Sequence, residues 1–257
     1  EEIFVLDDML MDGQGPIPWG ESAPTHALMG RLGNLMMVNG QTDLRLSAER
    51  GEVIRFYLTN VANSRTFNVT FGRNRVKIVA SDVGKYEREQ WITSVVIAPA
   101  ERYVVDVRFD DSGEVAIANT IQAINHFRGE FYPQVDTLAL VTVSDAAADP
   151  MISEAFEDLR ENADVVSDID RFRPYFGREP DHELETTVRV HDLPPSIVLA
   201  MEADTLFYPP IEWNDGMPMM NWLSTGEQVT WVLRDRSTGA ENDDIDWTFR
   251  VGDIVKI

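Results

Sequence analysis

The feature that most constrains the fold is a strand, turn and strand pattern within residues 33–60. The apolar run Leu35–Val38 ends at Asn39-Gly40, a dipeptide that accepts the positive backbone angles of a two-residue hairpin turn. A β-branched and aromatic run follows at residues 53–58. The pattern predicts the beginning of a β-sandwich.

More short strands are predicted on both sides of this unit, since β-rich runs alternate with turn residues at intervals typical of all-β sandwiches. One lies before it, at residues 3–6, and residues 21–33 are predicted to be a loop. The others are residues 67–71, 76–80, 91–97, 103–109, 115–118 and 138–143.

The composition changes near Ala146 to alanine, aspartate and glutamate. Asp149 is predicted to cap a helix whose first position is Pro150. Three apolar side chains fall on one face of this helix: Ile152, Phe156 and Leu159. The chain from there to Glu185 has little periodicity, so we expect an acidic surface linker.

Further strands are predicted at residues 186–190, 197–201 and 228–233. The last six residues, GDIVKI at 252–257, repeat the class pattern of GEVIRF at 51–56: glycine, acid, two β-branched residues, base and large apolar residue. This repeat predicts a second copy of the same fold that is incomplete where the chain stops.

The composition excludes several classes of function. The chain of 257 residues has 44 acidic and 22 basic residues, and the resulting net charge of -22 repels nucleic acids and anionic lipids. It has no cysteine, which excludes disulfides, thiolate catalysis and a thiolate metal ligand. No apolar run approaches the roughly 20 residues of a membrane span. Only Lys77, Lys85 and Lys256 are lysines. This acidic, lysine-poor balance suits a salty or extracytoplasmic environment, and a high-GC genome would equally favour arginine over lysine.

Three stretches resemble a known family. VNGQ at 38–41 with GEVIRFYLTNVANSRTFNVTF at 51–71, and VVIAPAERYVVDVRF at 95–109, resemble the middle cupredoxin domain of a multicopper oxidase of the laccase and bilirubin oxidase type. FVLDDMLMDGQG at 4–15 resembles the segment that leaves the first domain of these oxidases. The resemblance implies an all-β, cupredoxin-like Greek-key β-sandwich followed by a second, incomplete cupredoxin-like domain.

The resemblance also implies a division of the chain. Residues 1–32 would end a first domain and its connecting loop, and residues 33–145 would form the middle cupredoxin-like domain. Residues 146–185 would be the acidic helical linker, and residues 186–257 a partial last cupredoxin-like domain. The chain begins at Glu1 without an initiator methionine or a signal peptide, so we expect a piece of a longer protein.

The parent protein would couple one-electron oxidation of a small reducing substrate to reduction of O2 to water, with copper as its cofactor. Its location would be extracytoplasmic, periplasmic or secreted. The partners of this segment would be the first and last cupredoxin domains of the same polypeptide. Its role would be a scaffold that carries no copper.

Copper ligands are not predicted in this chain. The family binds copper through a cysteine and paired histidines of the first and last domains, whereas the four histidines here are isolated in sequence: His26, His126, His182 and His191. The first two fall in predicted loops, the third in the acidic linker and the fourth after a strand. We therefore predict no catalytic, cofactor-binding or metal-binding residue.

Methionines and acids offer weaker alternatives. Seven methionines have two interpretations: their thioethers could bind a cuprous ion, or the side chains could fill gaps in the core and at domain interfaces. They are Met9, Met11, Met36, Met37, Met217, Met219 and Met220. Met36 and Met37 lie on opposite faces of a predicted strand, which separates them. Acid clusters at 110–111, 168–170 and 243–246 lack the spacing of a calcium loop. The glycosylation sequon at Asn68 falls inside a predicted strand.

Two other functions remain open at this point. A copper-free relative could use the same sandwich as a structural or protein-interaction module, and the sequence does not separate it from the oxidase fragment. A secreted, ligand-binding β-sandwich unrelated to cupredoxins is the third hypothesis, and the repeated glycine-acid-β-branched pattern argues against it.

Overall fold

The computed structural model describes residues 1–18, 30–125, 130–149, 154–192, 195, 211–213 and 228–257. The strands of the first half are β1 Glu2–Met9, β2 Met11–Asp12, β3 Gly15–Pro16, β4 Leu35–Val38, β5 Leu44–Arg50, β6 Glu52–Asn60, β7 Phe67–Thr70, β8 Arg75–Ser81 and β9 Gly84–Ile92. They are followed by β10 Val95–Ile97, β11 Arg102–Phe109, β12 Gly113–Asn125, β13 Glu130–Ala147, β14 His182–Val190, β15 Ile211–Trp213, β16 Val229–Asp235 and β17 Val255–Lys256. The helices are α1 Ala163–Asp170, α2 Arg173–Phe176 and a 3-10 turn at Asn242–Asp244.

Two large sheets form the sandwich. The first has the order β4-β1-β6-β11-β8-β9, and the second has the order β10-β7-β12-β13-β5, with β15 added in parallel beside β12. Within the two sheets, β1 runs parallel to β6 and β13 runs parallel to β5. A separate three-stranded sheet, β16-β14-β17, follows in the second half of the chain.

The core lies between the two large sheets and is centred on Phe56 of β6. The Phe56 ring lies 5.2 Å from Phe4 of β1, 5.1 Å from Phe71, which follows β7, and 6.5 Å from Phe109 of β11, measured between ring centroids. All four side chains are buried. The contacts with Phe4 and Phe109 are edge to face and lie within the first sheet, whereas the tilted contact with Phe71 joins the first sheet to the second.

Strand β1 belongs to this sandwich. It is hydrogen-bonded between β4 and β6 and gives Phe4 and Leu6 to the core. The sequence assigned residues 1–32 to the end of a first domain and its connecting loop, and this division of the chain stays a prediction. The parallel partner of β1 is distant in sequence, and local patterns do not reveal such pairing.

Most predicted strands of the sandwich are present, with two differences. Residues 91–97 are two strands, because the chain crosses at Thr93-Ser94 from β9, which pairs with β8, to β10, which pairs with β7 of the other sheet. Strands β12 and β13 are much longer than predicted, since they pair with each other from Gly113 opposite Val143 to Asn125 opposite Glu130. Cross-strand hydrogen bonds sustain this pairing where the hydrophobic alternation is weak.

The segment after the sandwich also differs from the prediction. Residues 154–156 are helical, but residues 158–160 have no regular secondary structure, and Leu159 is 44% exposed and not on a buried helical face. The predicted start at Pro150 lies outside the described residues. The stretch expected to be an aperiodic linker contains α1 and α2, and β14 begins at His182, four residues before the expected strand.

The C-terminal strands agree in part with the prediction. β16 matches residues 228–233, whereas residues 197–201 lie outside the described part. Of residues 252–257 only Val255–Lys256 forms a strand, beside the first residues of β14. The similar residues 51–56 belong mostly to β6, which has a partner strand on each side. The described segments contain no helix long and apolar enough to cross a membrane.

Candidate functional site

The best-defined cluster of polar contacts lies where residues 154–162, here called the strap, cross the outer edge of the first sheet. β9 is the last strand of that sheet. Its Glu89 amide donates to the Arg160 carbonyl at 3.0 Å, and the Asn162 amide donates to the Glu87 carbonyl at 2.8 Å. The strap therefore covers an edge whose backbone groups would otherwise be open to pairing with another chain.

Lys77 of β8 connects the sheet to the strap. Its ammonium group donates to the Asp158 carbonyl at 3.0 Å and to the Phe156 carbonyl at 3.3 Å, and lies 3.2 Å from the Glu89 carboxylate. Lys77 is 2% exposed. All three donors of the ammonium group are thus directed to acceptors, as a buried lysine requires.

Glu89 is the buried anion of the same cluster. Its carboxylate accepts from Arg160 Nε at 2.7 Å and from the Arg160 amide at 3.1 Å. Burial on its own would raise the pKa of Glu89, but hydrogen bonds from Arg160 and Lys77 favour the charged form more strongly and hold the pKa below its ordinary value of 4.5. The carboxylate is therefore charged at neutral pH and binds the strap through the side chain and the backbone amide of Arg160.

Phe156 is the apolar anchor of the strap. Its ring is 2% exposed and meets Trp91 of β9 edge to face, with 5.0 Å between the centroids. The Lys77 ammonium and the Arg108 guanidinium each lie 5.3 Å from the Phe156 centroid, and Arg75 lies 4.2 Å from the Trp91 centroid. Cation–π attraction adds to the burial of this ring.

Exposed ion pairs extend the attachment. Glu157 accepts from Arg75 at 2.7 Å and also from Arg108, and these hydrogen bonds lower the pKa of Glu157. Lys85 of β9 pairs with Asp164 of α1 at 2.9 Å. Such pairs contribute little individually, so the buried contacts of Lys77, Glu89 and Phe156 dominate.

A second anchor holds the chain that enters the sandwich. Asp8 at the end of β1 accepts from Arg65 Nε at 2.7 Å and from the Gly33 amide at 2.5 Å. Arg65 also donates to the Gly33 carbonyl. The Asp8 and Arg65 side chains are 3% and 1% exposed. This buried ion pair therefore fixes the end of β1 and the chain at Gly33 to the loop that follows β6.

The structure places two of the four histidines. His182 begins β14, and not a linker; its ring lies 5.0 Å from Trp247 and 5.1 Å from Phe249, with Nε2 3.7 Å from an Asp253 oxygen. His191 follows β14, and its amide donates to the Gln228 carbonyl. His26 and His126 lie outside the described residues.

The described donor set does not fit copper. His182 faces two aromatic rings, the sequence has no cysteine, and no group of three or more histidine, aspartate or glutamate side chains among the described residues could hold a metal ion. The prediction that this chain supplies no copper ligand stays a prediction, because two histidines and Met217, Met219 and Met220 are outside the described part.

The other predicted candidates have structural surroundings. Met36 packs against the core, and Met9 is 37% exposed. Asp110, Asp168 and Asp170 each pair with an arginine. Asn68 is buried in β7 and donates to the Thr120 carbonyl at 2.7 Å, so the sequon is inaccessible in the folded chain.

Sequence reasoning missed the strap. One signal was present, since Lys77 stands between the apolar residues Val76 and Ile78 in a chain with only three lysines. The structure gives the reason: one face of β8 packs on the core and the other lies under the strap. The partners of Lys77 are distant in sequence, so no local pattern identifies them.

Comparison with known proteins gives relatives of one family. The family model for multicopper oxidases matches residues 6–138. Cell division protein FtsP of Rahnella sp. (strain Y9602) is 29% identical over 157 residues, which cover 59% of this chain and 32% of that protein. Cell division protein FtsP of Aggregatibacter aphrophilus (strain NJ8700) is 29% identical over 144 residues, covering 53% and 29% respectively. The chain thus spans about a third of the length of the curated relatives it matches.

A solved structure supports the fold. A multicopper oxidase from Campylobacter jejuni, described as a metallo-oxidase, superposes with a TM-score of 0.53 at 19% identity, over 74% of this chain and 36% of that one. This likeness confirms the cupredoxin-like sandwich and says nothing about activity. Together with the family model, which matches more than half of the residues, it shows that the chain belongs to the multicopper oxidase family.

Proposed function

We propose that this chain is the scaffold segment of a multicopper-oxidase-family protein and that it holds the flanking domains in fixed positions. The observation that carries the proposal is the strap, because it ties the segment that leaves the sandwich to the sheet edge through Lys77, Glu89 and Phe156. At the other side, β1 is itself a strand of the sandwich, and the buried pair of Asp8 and Arg65 fixes its end. Rigid attachment on both sides is what a spacer between domains needs.

The parent protein would be an extracytoplasmic oxidase of the laccase-like type. It would oxidise a small reducing substrate by one-electron steps and reduce O2 to water, with copper bound by its first and last cupredoxin domains. The contribution of this chain would be geometric, since a copper cluster built from two domains forms only when their relative position is fixed.

A second candidate is a copper-free structural or protein-interaction module in a relative of the oxidases. The sequence similarity to cell division proteins favours it. In that case the same rigid scaffold would position surfaces for a protein partner. Both candidates assign the strap the same mechanical role.

The experiment uses the full-length protein loaded with copper and dialysed. Bound copper together with O2 consumption on a phenolic or metal-ion substrate supports the oxidase, and a folded protein that retains no copper supports the second candidate. Phe156→Ala then tests the scaffold role, because it removes the apolar anchor of the strap.

We expect Phe156→Ala to speed hydrogen exchange at the Glu89 amide, which donates to the strap. In an oxidase it should also lower copper retention and turnover. The matched control is Phe172→Ala, since Phe172 is 56% exposed. If Phe156→Ala opens the strap while copper content and turnover remain those of the control, the scaffold role is wrong.

A further inference from the structure

Asn39 and Gly40 form the turn between β4 and the next segment, and they are the only Asn-Gly pair in the sequence. The Val38 amide donates to the Gln41 carbonyl at 2.8 Å, and the Gln41 amide donates to the Val38 carbonyl at 2.9 Å. The φ angles of Asn39 and Gly40 are 54° and 73°, so both residues of this two-residue turn are left-handed.

The Asn39 side chain extends the ladder between β4 and β1 beyond the end of β4. The strand register ends where Val38 faces Leu6, and one further backbone hydrogen bond runs from the Asn39 amide to the Val5 carbonyl at 2.9 Å. Beyond that pair, Asn39 Oδ1 accepts from the Val5 amide at 2.9 Å, and Asn39 Nδ2 donates to the Ile3 carbonyl at 2.8 Å. The amide thus satisfies two backbone groups of β1 that β4 is too short to reach.

An asparagine followed by glycine is open to intramolecular chemistry. The backbone nitrogen of Gly40 loses its proton and bonds to Cγ of Asn39, the Cγ–Nδ2 bond then breaks, and Nδ2 takes up a proton and leaves as ammonia. Water opens the resulting five-membered imide to aspartate or isoaspartate, and no oxidant or reductant is needed. Gly40 has no Cβ to crowd its nitrogen, and no heavy atom lies within 4 Å of the place that a Cβ would take.

We propose that Asn39 is a deamidation site that β1 protects, and that its conversion to a carboxylate loosens β1 from the first sheet. Attack requires Cγ to move over the Gly40 nitrogen, whereas the bonds to Val5 and Ile3 hold the amide against β1. In the aspartate product, an oxygen replaces Nδ2 opposite the Ile3 carbonyl; in the isoaspartate product, the main chain runs through Cγ, so that side-chain amide is lost as well. The new carboxylate oxygen and the Ile3 carbonyl oxygen are both acceptors, so the hydrogen bond between them is lost and the Ile3 carbonyl has no donor from residue 39.

The first test measures deamidation at Asn39 in the intact chain, folded and in urea, at mildly alkaline pH, by the mass gain of its peptide. Asn39 should deamidate at least about tenfold more slowly in the folded chain than in urea, since the reaction requires local opening of β1. Asn34 is the matched control: its amide also bonds the backbone, at Met11, but Leu35 follows it. Equal rates at Asn39 in folded and unfolded chains would overturn the protection.

The second test is Asn39→Asp, with Asn63→Asp as a control for the added charge at an exposed asparagine. At neutral pH we expect the Asn39→Asp midpoint of thermal unfolding to fall by about 2–4 °C and that of the control to stay unchanged. In acid the deficit should shrink, because a protonated carboxyl can again donate to the Ile3 carbonyl. A variant as stable as wild type at neutral pH would refute the loosening of β1.

Discussion

Arg65 Nε donates to the Asp8 carboxylate at 2.7 Å, although the two residues are 57 positions apart and both side chains are buried. The pair lies where β1 ends and where the chain returns through Gly33. Burial of two charges is tolerated only when each has its partner. The contact therefore makes the placement of β1 depend on the loop that follows β6.

Asp8→Ala should destabilise the chain by about 3–5 kcal/mol, because it removes the carboxylate that faces the buried Arg65 guanidinium. The free energy of unfolding is measured by urea unfolding of wild type, Asp8→Ala and a control variant. The control is Asp168→Ala, since the ion pair of Asp168 with Arg171 is exposed and such pairs contribute only about 0–1 kcal/mol. Similar losses in both variants would contradict a special role for the buried pair.

Gly33→Ala should cost roughly 1–3 kcal/mol because the new methyl group has no room. A Cβ at Gly33 would lie 2.5 Å from the Met9 nitrogen and 2.7 Å from the Met9 carbonyl carbon, and both are backbone atoms of β1. Gly13→Ala is the control, since nothing lies within 4 Å of a Cβ there. Thermal unfolding should separate the two variants, and an unchanged midpoint for Gly33→Ala would show that β1 can move away.

The strap should make stability depend on acid pH through Glu89. The pKa of Glu89 is lower in the folded chain than its ordinary value of 4.5, so the unfolded chain takes up the proton first as the pH falls. The stabilisation is present above pH 4.5 and is lost as the pH falls through the folded pKa.

Glu89→Gln tests this dependence. At neutral pH we expect a loss of about 3 kcal/mol, because Lys77 stays buried without its carboxylate. The difference from wild type in the free energy of urea unfolding should narrow as the pH falls below 4.5 and through the lowered pKa of folded Glu89. A difference that stays constant from neutral to acid pH would show that Glu89 is not the group responsible.

Local sequence patterns determined most of the sandwich. The Asn39-Gly40 turn, the alternation in β7 and β8 and the β-branched run of β6 predicted strands that the structure contains. These signals are local: turn residues need particular backbone angles, and a strand with one buried face alternates at period two. The family resemblance came from the same residues, and the match to the multicopper oxidase model confirmed it.

Only the tertiary structure decided how the flanking segments attach. Lys77 in β8 and Glu89 in β9 meet the strap through carbonyls and an arginine far along the chain, and Asp8 meets Arg65 across the loops that border β1 and β6. In sequence Asp8, Arg65 and Glu89 are indistinguishable from solvated charges, and only Lys77 stands out, between two apolar residues. A charge becomes a structural contact only when folding removes water from it and supplies its partner, and that pairing depends on distance in space and not on spacing along the chain.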